Sequence, residues 1–103
     1  MEDCLFCKII KKEIPAKIIY EDSALVVFPD ANPKKRVHFL IVPVPHIKSF
    51  LDLSGNQSKL LTRMVEVIQS KIVENNLKGG YQLLFNGGIY QHVPHLHWHL
   101  LGD

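Results

Sequence analysis

Seven residues near the C-terminus, His95-Leu-His-Trp-His-Leu-Leu, constrain this chain more than any other feature. Imidazole and apolar side chains alternate strictly from His95 to Leu100. Side chains on a β-strand point to opposite faces with period two, so an extended backbone puts His95, His97 and His99 on one face. Leu96, Trp98 and Leu100 share the other, where burial contributes roughly 1.5–3 kcal/mol for each side chain. Same-face neighbours lie about 6.6 Å apart. A row of three imidazoles suits a hydrophobic core badly, because each neutral ring needs one donor and one acceptor partner. Two chemistries remain. The row can ligate a catalytic ion, as His-x-His pairs do in zinc enzymes, which would make a metal-dependent hydrolase. Alternatively, one neutral imidazole serves as a nucleophile toward phosphorus and the others assist it. Three further histidines, His38, His46 and His92, complete a total of six.

At 103 residues, 47% of them hydrophobic and 21% charged, the chain fits a single domain spanning 1–103 and excludes a two-domain enzyme. A domain of this size buries only about 60–65% of its unfolded surface, so a dimer or a metal would add needed stability. The best apolar stretch, 37–44, is interrupted by His38 and Pro43 and falls short of the roughly 20 residues that span a bilayer. Glu2 and Asp3 ahead of a short Leu5-Phe6 step do not make a secretory leader, so a cytoplasmic protein without a membrane partner is expected. The net charge of +2 is too small for general nucleic-acid binding, and Lys34-Lys35-Arg36 reads as a solvated turn.

Helical spacing of Leu5, Ile9 and Ile10 predicts a short helix over 4–12, ended by Pro15. Strands are expected at 17–20, 24–28 and 38–43, with turn-prone residues between them. Ser54 and Gln57 have the spacing of a capping box ahead of a long apolar-periodic run from Leu60 to Val73. That helix is wide-faced, with Val67 off the main stripe and available to a second subunit, and Lys78-Gly79-Gly80 would close it. Further strands are expected at 81–85 and 95–101, separated by a turn at Asn86-Gly87-Gly88. This order predicts an α+β fold with helices on one side of an antiparallel sheet.

Cys4 and Cys7 are too close in sequence to staple the fold and admit three readings. They are a redox pair, two ordinary thiols, or half of a zinc site completed by two histidines from elsewhere. Zinc is favoured, because Cys-x2-Cys is a standard half-site, whereas thioredoxin-like motifs follow a strand.

The chain resembles the histidine triad (HIT) superfamily. Its last strand matches the H-φ-H-φ-H-φ-φ signature, φ being apolar, and the likeness runs from Asp3 to Gly102. It takes in Cys4-Leu-Phe-Cys-Lys-Ile-Ile, Lys12-Glu-Ile-Pro-Ala, Tyr20-Glu-Asp, His38-Phe-Leu-Ile-Val-Pro and His46. The branch it is most similar to is the histidine triad nucleotide-binding proteins, small nucleoside phosphoramidate hydrolases. That resemblance implies a sheet of about five strands per subunit, one short N-terminal helix, one long helix, and a homodimer. It implies that His97 attacks the α-phosphorus of a purine nucleoside phosphoramidate or adenylate, giving a nucleotidyl-histidine that water hydrolyses. His99 would bond the non-bridging phosphate oxygens, and His38 would orient the triad. Zinc, in relatives that bind it, is held by residues matching Cys4, Cys7, His46 and His95; a site closed by four protein ligands is structural and leaves His97 free.

The same resemblance assigns Asp30 to the ribose hydroxyls, Phe6, Ile14, Phe28 and Leu40 to the base, and Asn86 and Gln91 to the phosphate. Two departures stand out. The loop ahead of the triad, Gly88-Ile89-Tyr90-Gln91, is about two residues shorter than usual, and His92 replaces the serine, threonine or glutamate that often meets the leaving group. A binding or regulatory module with vestigial catalysis is the remaining alternative to an enzyme.

Overall fold

The computed structural model describes residues 4–103; the Glu2 and Asp3 of the expected N-terminal segment lie outside them. Helix α1 (Leu5–Ile10) is followed by strands β1 (Tyr20–Glu21), β2 (Leu25–Pro29) and β3 (Val37–Pro43), helix α2 (Ser58–Glu74), and strands β4 (Gln82–Leu84) and β5 (Trp98–Gly102). The strands form one antiparallel sheet in the order β1-β2-β3-β5-β4. The expected α+β class is present, with five strands, a short helix and a long one.

The period-two alternation decides which helix meets which face. Leu25, Val27, Val37, Ile41 and Leu100 point to one side and pack with Met64, Val67, Ile68 and Ile72 of α2. Val26, Phe28, Leu40 and Val42 point to the other, against Cys4, Phe6 and Ile9 of the α1 region. The helices therefore cover opposite faces, not one side as the element order suggests. Val67 is buried in the α2 core, so it does not face outward; Val65 and Val73 are the exposed apolar residues of that helix.

Both helices stop earlier than the sequence signals indicate, for the same reason. Lys12 and Asn76 adopt left-handed backbone angles (φ 65° and 59°). At α2, the N–H of Leu77 donates to the Ile72 carbonyl (2.9 Å) and that of Asn76 to Val73 (3.2 Å). At α1, Glu13 donates to Lys8 (2.8 Å) and Lys12 to Ile9 (3.0 Å). These are Schellman terminations, which satisfy the last carbonyls. Pro15 and Gly79-Gly80 thus lie beyond helices already closed. The Ser54–Gln57 capping box exists, but it caps the short 3₁₀ turn Gly55–Gln57 that leads into α2.

The first hairpin is held by Asp22, whose carboxylate accepts the N–H groups of Ala24 and Leu25 (2.7 and 3.0 Å) and the Tyr20 hydroxyl (2.8 Å). Arg63 of α2 donates to the same carboxylate at 3.0 Å, tying helix to sheet. Burial raises this carboxyl's pKa, but those donors outweigh it and hold the group at about 2. In the basic triplet, Arg36 donates to the carbonyls of Asp103 (2.8 Å) and Asn75 (2.9 Å), anchoring the chain end beside α2. Among the described residues, no helix is long and apolar enough to cross a membrane.

Candidate active site

The α1-facing side of the sheet carries the histidines. Val37↔Gly102 and Leu40↔His99 pairing puts His38 and His99 on neighbouring strands of that face. β5 begins only at Trp98, so His95 and His97 precede the ladder instead of lying within the expected 95–101 strand. Their alternation nevertheless persists for His97, whose ring centroid is 5.0 Å from that of His99. Leu100 is buried in the core on the opposite side, as expected, and Leu96 is also buried.

Hydrogen-bond partners decide the state of each ring. The His97 Nδ1 lies 2.7 Å from the His95 carbonyl oxygen. A carbonyl only accepts, so Nδ1 carries the proton and Nε2 keeps a free lone pair. His38 is fixed the opposite way. The backbone N–H of Lys34 donates to His38 Nδ1 (3.1 Å), so the proton of His38 is on Nε2, which donates to His99 Nδ1 (2.9 Å). His99 then carries its proton on Nε2, which lies 3.3 Å from the Asn86 side-chain nitrogen and so stays available to a ligand in the cavity. Asp30 sits 3.5 Å from His38 Nε2 and accepts the Asn32 N–H at 2.8 Å.

Burial lowers the pKa of all three rings. For His97 it outweighs the His95 carbonyl and Asp30, which act the other way. For His38 it outweighs Asp30. For His99, burial together with His97 and His38 lowers the value to about 4. The triad is therefore neutral at pH 7, the state a nucleophilic imidazole requires.

These rings open onto a cavity of about 800 Å³, large enough for a nucleotide-sized ligand. Phe6, Ile14, Phe28, Asp30, His38, Leu40, Asn86, His92, His97 and His99 line it, so ten of the positions named from sequence converge. Gln91 does not. Its amide donates to the carbonyls of Lys48 (2.7 Å) and Val93 (3.0 Å), which fastens the loop ahead of the triad. His92, by contrast, is exposed at the cavity wall. Ile9, Pro15, Lys34 and Val93 also line it and were not anticipated; only Ile9, three residues after Phe6 on α1, carried a sequence signal.

His95 belongs to a different group. Cys4, Cys7, His46 and His95 bring four candidate ligand atoms within 4.8 Å of one another. The Nδ1 of His95 lies 3.4 Å from Cys4 Sγ and 3.5 Å from Cys7 Sγ, and the Nδ1 of His46 lies 3.3 Å from Cys7 Sγ. Edges of a tetrahedron with Zn–S and Zn–N bonds measure about 3.6 Å, so the donor set fits zinc. The other nitrogen of His95 donates to the Pro43 carbonyl (2.8 Å), which aims Nδ1 at the thiols. Burial and Cys4 push the Cys7 thiol up. His95, His97 and His99 do not converge on one point as the ligands of a single ion would. Asp30, His38 and His99 do approach one another, but the Lys34 N–H occupies Nδ1 of His38 and the proton occupies Nε2, so that ring has no lone pair for a metal.

A profile of the family described as "Scavenger mRNA decapping enzyme C-term binding" matches residues 3–103. The chain is 39% identical over 107 residues to the purine nucleoside phosphoramidase of Escherichia coli (strain K12), covering 98% of this chain and 87% of that protein. A HIT family hydrolase from Legionella pneumophila Philadelphia 1 superposes with a TM-score of 0.94 at 38% identity, covering 97% of this chain and 92% of the other. A HIT family hydrolase from Clostridium thermocellum superposes with a TM-score of 0.95 at 37% identity, covering 100% and 92%.

Proposed function

This chain belongs to the HIT superfamily, and on that premise we propose that it acts on the α-phosphate of purine nucleoside phosphoramidates or adenylates through a nucleotidyl-histidine intermediate on His97. The observation that carries this reading is the bond from His97 Nδ1–H to the His95 carbonyl, which leaves Nε2 as the unengaged nitrogen of a ring lining the cavity. Nε2 attacks phosphorus, the P–N bond breaks, and the departing amine takes a proton. The His97 ring becomes cationic in the adduct, and the carbonyl dipole at Nδ1 stabilises that charge. Water then attacks the same phosphorus, the P–Nε2 bond breaks, and a nucleoside monophosphate leaves with neutral His97 restored. Two steps separate amine departure from water attack.

The remaining residues take roles consistent with their contacts. His99 presents Nε2–H toward the oxygens on which charge builds, and His38 orients it through the 2.9 Å bond. Asp30 receives the ribose hydroxyls, and Phe6, Ile14, Phe28 and Leu40 flank the base. His92 is the proton donor nearest to solvent and is assigned to the leaving amine. Mass spectrometry of protein mixed with adenosine 5′-phosphoramidate tests this reading. A nucleotide adduct on a His97-containing peptide is the expected result, and turnover unaffected by His97→Ala overturns it.

The Cys4, Cys7, His46 and His95 set is assigned to one structural zinc, which would tie α1 to the segment ahead of β5 and supply no step of the chemistry. Cysteine ligands suit a reducing cytoplasm. A homodimer is favoured by the surface around β4. That strand ends the sheet with Leu83 and Leu84 exposed, and Val65 of α2 is exposed beside a hollow of about 480 Å³ lined by Phe50, Leu61, Phe85 and Trp98. Among the described residues the buried Trp98 indole N–H has no partner. An unpaired apolar edge is a template for a second copy. Light scattering should give a dimer that Leu83→Lys converts to monomer.

A further inference from the structure

We propose that the Cys4–Cys7–His46–His95 cluster positions the His97 nucleophile, so that losing its metal lowers kcat without unfolding the protein or weakening substrate binding. The inference rests on the phosphoramidate reading above for its kinetic arm only.

The argument starts from what does not hold His97. The β3–β5 ladder ends at the Ile41↔Trp98 pair, so the peptide groups of His95 and Leu96 receive no ladder bonds from β3. Something else must fix the His95 carbonyl, because that oxygen sets the proton position on His97. Two backbone bonds contribute: Leu96 N–H donates to Ile47 (2.6 Å), and His95 N–H to Val93 (2.8 Å). The third anchor is the His95 side chain, fully buried, pinned at Nε2 by Pro43 and facing both thiols at Nδ1. One residue therefore carries its ring in the cluster and its carbonyl on the nucleophile.

A second route converges on the same ring. Phe6, between the two cysteines in sequence, packs edge-to-face with His97, centroids 4.9 Å apart at 87°, and with His95 at 6.0 Å. The placement of α1 depends on Cys4, its N-cap, and on Cys7. With the cluster unligated, both the carbonyl and the packing edge are free to shift. A displacement of about 1 Å of a reacting group can cost on the order of 100-fold in rate.

His46 is the discriminating position, because it touches Cys7 and His95 but none of the groups assigned to substrate. For His46→Ala we expect loss of zinc by metal analysis, a native far-ultraviolet circular dichroism spectrum, KM within about threefold, and kcat down by about tenfold or more. Nitrogen NMR of the imidazoles should show His97 changing from a single Nδ1–H tautomer to a mixture. His46→Cys, which keeps four ligands, should restore zinc, tautomer and kcat together. Should His46→Ala not fold, wild-type protein stripped by chelator and reloaded with zinc gives the same comparison through the His97 tautomer. Metal-free protein with unchanged kcat and an unchanged His97 tautomer overturns the proposal, as does wild-type protein that carries no metal. A wild type inactive on phosphoramidates overturns the substrate reading instead, while the tautomer measurement still decides this one.

Discussion

His95 and His97 stand two residues apart and face opposite duties, and the contrast shows how a backbone assigns imidazole chemistry. In His95 the Pro43 carbonyl takes Nε2–H, so the lone pair on Nδ1 looks at two thiols. In His97 the His95 carbonyl takes Nδ1–H, so the lone pair is on Nε2 and the ring opens onto the cavity. Neither residue's own composition differs. A neutral imidazole has one donor and one acceptor nitrogen, and the carbonyl that claims the donor determines where the acceptor points. The same residue type thus presents its lone pair to two thiols in one case and to the cavity in the other.

The strongest way to break the comparison is to remove the nucleophile. His97→Ala should reduce turnover by about 10³-fold or more while nucleotide affinity, read by calorimetry, stays close to wild type. The corresponding change on the metal side should cost stability as well as rate. Cys4→Ser is expected to lose the zinc equivalent and lower Tm by about 10 °C in thermal unfolding. Retained zinc in that variant would remove Cys4 from the ligand set.

Acid sharpens the contrast further. His99 is held neutral by burial down to about pH 4, whereas the unfolded chain protonates near the ordinary value of about 6.5. The unfolded state therefore binds the extra proton first, and stability falls as pH drops from about 6.5 to about 4. Denaturant unfolding across this window should show that slope in wild type and a weaker one in His99→Gln. Asp22 acts lower on the scale. Its pKa of about 2 adds stability that is complete above about pH 4 and fades as pH falls toward 2. The smallest effect is expected at the exposed His92. His92→Ala should slow substrates with poorly departing amines several-fold and leave those with good leaving groups unchanged, checked by kcat across a leaving-group series.

Much of the site was legible because a strand's period is short and rigid. The alternation of His97 and His99 with Leu96, Trp98 and Leu100 required no tertiary information, and the run around His38 declared its strand with equal clarity. Gln91 shows the opposite case. It precedes the triad, but a side chain with three rotatable bonds in a loop goes wherever carbonyls are free, and those of Lys48 and Val93 hold it. The helix ends were misplaced because glycine and proline are the usual stop signals, whereas Lys12 and Asn76 take the left-handed conformation here without either. Val67 was misassigned because the stripe on α2 is wide enough to bury it with Met64, Ile68 and Ile72.

Local patterning alone settled the strands that carry His38 and His99, the face that His97 and His99 share, and the placing of two thiols one helical turn apart. These depend on dihedral preferences and on spacing along a single element, which the chain carries from residue to residue. Folding decided the placement of α1 and α2 on opposite faces, the separation of His95 from its row, and the tautomers of His38, His95, His97 and His99. Each of those outcomes depends on contacts that strand periodicity does not specify: apolar packing for the helices, the Pro43 carbonyl and the α1 thiols for His95, and single backbone groups of Lys34 and His95 for His38 and His97. These partners meet only when the whole chain has packed.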